Sequence, residues 1–183
     1  MEALGSTLNL VQEVLPKALP TIIGVILGSV LTLLSARITK YWENREKQIK
    51  IASYIRRLVE YELFYTEHES ENLCNYMGKT SIPDLKYDHV FYTSEHNSIL
   101  LSSVATDAVC LGIEVLKAYA TYFNLLKQYE SFRMNLKEIL NTEECNVEHM
   151  REFLAAHINR LERVKMAGRS LIKLIEKYYP DQQ

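Results

Sequence analysis

The chain has 183 residues, 48% of them hydrophobic, and a formal net charge of −2, enough for one membrane anchor and one modest globular unit. Setting aside Lys17, Glu2 and Glu13 leaves 20 basic against 21 acidic residues beyond the apolar segment described below. That near-neutral balance excludes the footprint of a dedicated nucleic-acid binder.

Residues 1–16 form a leader outside the cytoplasm in which Leu4, Leu8, Val11 and Leu15 recur at helical spacing. The stripe fits a short amphipathic helix on the membrane surface, with a disordered leader as the alternative. Pro16 and Pro20 mark the start of the next segment, where a missing N–H costs least.

Residues 18–36, ALPTIIGVILGSVLTLLSA, carry no formal charge. At about 1.5 Å per residue they approach the roughly 30 Å hydrocarbon thickness of a bilayer, so a transmembrane helix with its interface is expected over 17–40. A cleaved signal peptide is the alternative. It requires a basic leader, whereas Met1 to Pro16 holds Glu2 and Glu13 and no basic residue. Orientation follows from the basic residues that come next, Arg37, Lys40, Arg45, Lys47, Lys50, Arg56 and Arg57, against only Lys17 before the span. Basic flanks stay on the cytoplasmic side, so the expectation is a single pass, N-terminus outside. Lys40, Tyr41 and Trp42 fall at the membrane interface, the aromatics in the headgroup belt and the lysine snorkelling toward phosphates.

Within the span, Thr21, Gly24, Gly28, Thr32 and Ser35 gather on one helix face, with Gly24 and Gly28 as a GxxxG pair. Small residues let helices approach closely in lipid, so this face packs copies of the chain together. Alternatively, the hydroxyls line a narrow aqueous path enclosed by several copies. Both readings make the chain its own partner.

Residues 41–183 read as one cytoplasmic, all-α domain. A long helix runs from Arg37 to Gly78 with Ile38, Trp42, Ile49, Ala52, Ile55, Val59 and Leu63 on one stripe, and Gly78 to Asn97 reads as loop. Val104, Ala108, Leu111, Val115, Ala118, Tyr122, Leu125, Tyr129, Phe132, Leu136 and Ile139 alternate steps of four and three, a heptad seam suited to building a ring of protomers. A turn over Asn141 to Asn146 precedes a last helix, capped by Asn146, whose stripe runs through Met150, Leu154, Ile158, Leu161, Val164, Gly168, Leu171, Ile175 and Tyr178.

Chemistry-bearing patterns are few. Cys74, Cys110 and Cys145 are scattered and fit reduced thiols, and no residue set reaches a metal-ligand geometry. There is no glycine-rich phosphate loop and no GxSxG, so no cofactor is expected. His68, between Glu67 and Glu69, reads as part of a solvated or interfacial cluster. The string REFLAAH in the last helix sets Arg151 six positions before His157. An arginine followed at short distance by a histidine is the pattern of HEPN ribonucleases, where the pair positions a scissile phosphate and assists metal-free attack by a 2'-hydroxyl. Six positions on an ideal helix leave the two side chains roughly 120° apart, so they meet one phosphate only across protomers or at a bend. The structural alternative pairs Arg151 with Glu148 on the surface and seats His157 in a packing groove.

Together, the N-terminal span, the all-helical domain of this size and the REFLAAH string resemble the small transmembrane accessory proteins of type VI-B CRISPR systems. The resemblance implies that the membrane is a bacterial inner membrane, and with it an HEPN-like cytoplasmic bundle, assembly into a pore that depolarises that membrane, and a functional partnership with an RNA-guided, RNA-targeting effector in antiphage defence. It also implies that Arg151 and His157 are needed for action. A membrane-tethered HEPN-type ribonuclease and an anchored helical adaptor are the competing expectations.

Overall fold

A computed structural model describes residues 2–77, 97–141 and 147–180, with side chains from residue 23 onward apart from a few helical positions. Among the described residues there are no strands and four helices: α1 (Glu2–Met77), α2 (Asn97–Ala108), α3 (Ile113–Asn141) and α4 (Val147–Tyr178). The all-α expectation holds. The chain divides into two compact units, Met1–Lys47 and Gln48–Gln183. The loop expected over 78–97 and the turn expected over 141–146, including the Asn146 cap and Cys145, lie outside the described residues except where Asn97 and Asn141 end helices.

The first unit is a stretch of α1. The helix starts at Glu2, upstream of both Pro16 and Pro20, so neither proline stands in a first turn. Each costs one backbone hydrogen bond, a loss that apolar helices absorb by local adjustment. Every side chain from Ile23 to Asn44 is exposed. This part of α1, near the N-terminus, is long and apolar enough to cross a membrane. Ile38 and Trp42, expected on a buried stripe, are 55% and 63% exposed, because the stripe that packs begins only in the second unit.

The second unit closes a core from the end of α1 and from α2, α3 and α4. Ala52, Ile55, Val59, Leu63 and Leu73 come from α1, and Leu101, Val104 and Ala108 from α2. Helices α3 and α4 pair extensively, and α2 lies on α3. The α4 stripe Met150, Leu154, His157, Leu161, Val164, Gly168, Leu171 and Ile175 alternates steps of four and three, and all eight positions are buried. Two expected members are displaced: His157 takes the core place given to Ile158, and Tyr179 that given to Tyr178.

The heptad seam expected from Val104 to Ile139 is not one helix. It is interrupted at residues 109–112, where Cys110 N–H donates to Asp107 O at 3.1 Å and Leu111 N–H to Ala108 O at 3.0 Å. Gly112 N–H is taken by the Tyr179 hydroxyl at 2.8 Å, which locks the end of α4 onto this corner. In α3 the buried positions are Val115, Tyr119, Tyr122, Leu126, Tyr129 and Arg133, so alternate members sit one residue later than the seam predicts. The surface these residues meet lies within the same chain. The buried members of the seam up to Tyr129 thus contribute to the intramolecular bundle, while the side chains of Leu136 and Ile139 lie outside the described residues.

Candidate functional site

Two regions hold the residues singled out by sequence. In the first, α1 presents Gly24 and Gly28 with no atom within 4 Å of the place a Cβ would occupy. The hydroxyls nearby are satisfied by their own helix. Thr32 Oγ1 donates to Gly28 O at 2.8 Å and Ser35 Oγ to Thr32 O at 2.9 Å. Ser29 Oγ donates to Val25 O at 2.8 Å and Thr39 Oγ1 to Ser35 O at 3.0 Å. Such back-bonding removes the cost of a hydroxyl at membrane depth without requiring a partner. Thr21 lies on α1, its side chain outside the described residues.

Lys40, Tyr41 and Trp42 are exposed, and the two aromatic rings meet edge-on at 6.2 Å. Lys40 and Arg37 stand at one end of a shallow groove of about 470 Å³ otherwise lined by Val30, Leu33, Leu34 and Ala36. Apolar carbon followed within a turn by two cations matches the change from acyl chain to headgroup at a lipid surface.

The second region is a polar layer inside the bundle. His157 is 0% exposed, and its Nε2 lies 3.2 Å from Glu69 Oε1, itself 5% exposed. The imidazole is sandwiched by aromatics: Phe132 stacks on it at 5.5 Å and Tyr129 lies tilted at 5.0 Å. The Arg160 guanidinium covers the Phe132 ring at 3.8 Å. Glu62, Thr66 and Ser70 of α1 and Arg133 of α3 complete the buried polar set. Burial drives the Tyr129 hydroxyl well above its usual range, with the Glu69 carboxylate adding to the effect. Tyr122 is raised the same way, by burial first and then by Glu62 and Glu130. Both hydroxyls therefore stay protonated around neutral pH.

Arg151 is exposed while His157 is wholly enclosed. The helix carries them to different environments, as the 120° separation expects, and within one chain they do not form a common phosphate site. Of the cluster read as solvated or interfacial, His68 is exposed and Glu67 half-buried, while Glu69 is in the core. The missed signal was available in sequence. Continuing the stripe Ala52, Ile55, Val59 by further steps of three and four reaches Glu62, Thr66 and Glu69, so its register already assigns them inward positions. Among the described residues no group of His, Cys, Asp and Glu is arranged to hold a metal, and Cys74 and Cys110 are free thiols.

No protein-family model, curated protein or solved structure matches the chain.

Proposed function

We propose that the chain is a single-pass inner-membrane protein, N-terminus outside and bundle in the cytoplasm, whose copies assemble through the Thr21–Ser35 face into a pore that depolarises the membrane. The observation that supports it most is the unbroken exposed run from Ile23 to Asn44, which includes two glycines whose faces are open. Exposed aliphatic side chains all around a helix call for lipid, and open glycines leave room for another backbone. Several members of the Val104–Ile139 seam are buried within the bundle, which favours the span as the face for association. The resemblance noted above supplies the biological setting, a functional partnership with an RNA-guided, RNA-targeting effector in antiphage defence.

The proposal is tested by reconstituting the purified chain in liposomes loaded with a self-quenching dye and measuring its oligomer mass in parallel. Leakage is expected, and Gly28→Leu, which fills the open face, lowers it at least about tenfold by keeping helices apart. Tight vesicles containing a high-order complex overturn the pore.

One observation favours a second reading, the anchored adaptor. The hydroxyls of Ser29, Thr32, Ser35 and Thr39 are already bonded within α1 and do not demand a water-filled lumen. An adaptor leaves vesicles tight with no ring formed and retains a cytosolic partner in pull-down. The HEPN-type ribonuclease reading needs exposed Arg151 and enclosed His157 to reach one phosphate, and the geometry favours it least.

A further inference from the structure

The buried stripe of α1 changes character part-way along the second unit. Ala52, Ile55 and Val59 are aliphatic and 0% exposed. From residue 62 onward the same face carries Glu62, Thr66, Glu69 and Ser70 among the buried apolar Leu63 and Leu73. The hydrogen bonds and ion pairs from this stretch to α4 are Glu69 with His157 at 3.2 Å, Ser70 Oγ with Glu162 Oε1 at 3.3 Å, and Arg169 Nη2 with Glu67 Oε1 at 2.5 Å, beside the apolar approach of Leu63 to Gly168. An open groove of about 570 Å³ runs along the same boundary, lined by residues that include Glu67, Ser70, Cys74, Lys165 and Arg169.

Polar contacts differ from apolar ones in what they lose on opening. A buried aliphatic side chain that separates from its partners meets water and loses its stabilisation outright. A buried ion pair that separates recovers the hydration it gave up, so its net hold is small even when its geometry is good. Contacts beside an open groove are weaker still, because water already competes for them. Segments with few buried apolar contacts open first, ahead of global unfolding.

We propose that residues 62–77 of α1 form a releasable strap that leaves α4 while Ala52, Ile55 and Val59 stay packed, uncovering the Glu69–His157 layer. The strap belongs to the helix that carries the candidate span, yet its release is a property of the second unit alone and stands whether or not copies form a pore. Once free, the segment loses the tertiary packing that supplies most of a helix's stability, so release reads out as loss of backbone protection.

Hydrogen exchange with mass spectrometry on the full chain in detergent micelles tests this. Amides of 62–77 are expected to exchange at least about tenfold faster than those of 52–59. Glu69→Leu and His157→Leu singly leave half of a buried pair and raise exchange further, whereas the double variant replaces the pair by apolar contact and slows 62–77 toward the rate of 52–59. Glu69→Gln keeps the volume and serves if the leucine variants do not fold. It is expected to quicken exchange in 62–77 alone. Equal protection of the two segments in the unmodified chain, a double variant that leaves their difference intact, or Glu69→Gln quickening both segments equally overturns the strap.

Discussion

Leu27 is 56% exposed and Val59 is 0% exposed, although both are aliphatic side chains of one unbroken helix, α1. The difference lies in what surrounds each in sequence. Around Leu27 the apolar residues Ile23, Val25, Ile26, Val30 and Leu31 cover most directions of the helix, and the remaining face carries only the small residues Gly24, Gly28, Thr32 and Ser35, with no charge to turn toward water. Around Val59 the apolar positions form one stripe, while Arg56, Arg57 and Glu60 occupy the others, and Arg56 pairs with Glu60 at 3.2 Å. The first pattern asks for a continuous apolar solvent and the second for a core. One helix therefore needs two media, and hydropathy separates them more sharply than helix boundaries do.

The largest effect is expected from forcing the first pattern to resemble the second. Leu27→Arg with Leu31→Arg places two guanidinium groups in the apolar run, each costing about 2.5–3.5 kcal/mol at the centre of a membrane helix. The variant is expected to leave the carbonate-resistant membrane fraction, while the thermal transition of the second unit is unchanged. Retention after the carbonate wash would remove the case for a span.

How much of this was legible beforehand varies with the physics of each element. The candidate span was readable because hydropathy is a sum over neighbours and needs no partner. The α4 stripe was readable except at His157, a polar residue in a core place that Ile158 suited better by composition, and at Tyr179, where two adjacent tyrosines left composition no means of choosing the buried one. The seam of α2 and α3 misled, because a heptad repeat specifies a packing surface without saying whether the surface opposite belongs to the same chain. The buried layer was missed because Glu62 and Glu69 read as solvent-facing by type. Only the register of Ala52, Ile55 and Val59 places them inside, and His157, the partner of Glu69, lies far along the sequence.

An intermediate effect is expected where α4 approaches its neighbours most closely. A Cβ on Gly168 would stand 3.0 Å from Leu63 Cδ2 and 3.1 Å from Tyr122 Cε2. Tyr122 is fully buried, so its ring has little room to yield. Gly168→Ala is expected to lower the unfolding free energy by about 1–3 kcal/mol as an overpacking change, measured by urea denaturation. Adding Leu63→Val removes the nearer obstruction and is expected to recover part of the loss. The same substitution at Gly28, where no atom lies within 4 Å, is expected to leave the transition of the second unit untouched, which restates the contrast between the two units as a pair of measurements.

The smallest effect concerns the rim of the polar boundary between α1 and α4. The Glu162 carboxyl is held below its usual value of 4.5, chiefly by its hydrogen bond from Lys165, with Ser70 of α1 contributing another. A carboxyl depressed in the folded chain adds stability that is present above 4.5 and is lost as pH falls through its lower folded value. The Glu162 side chain is 49% exposed, so solvent screening discounts the effect to a few tenths of a kcal/mol. Glu162→Gln is therefore expected to cost that much near neutral pH and nothing in strong acid, the two urea titration series converging as the carboxyl protonates. A loss beyond about 1 kcal/mol at neutral pH would mean that water screens this boundary poorly. The strap over 62–77 would then be held more firmly than its open groove implies, and the contrast between its polar links and the aliphatic packing at 52–59 would narrow.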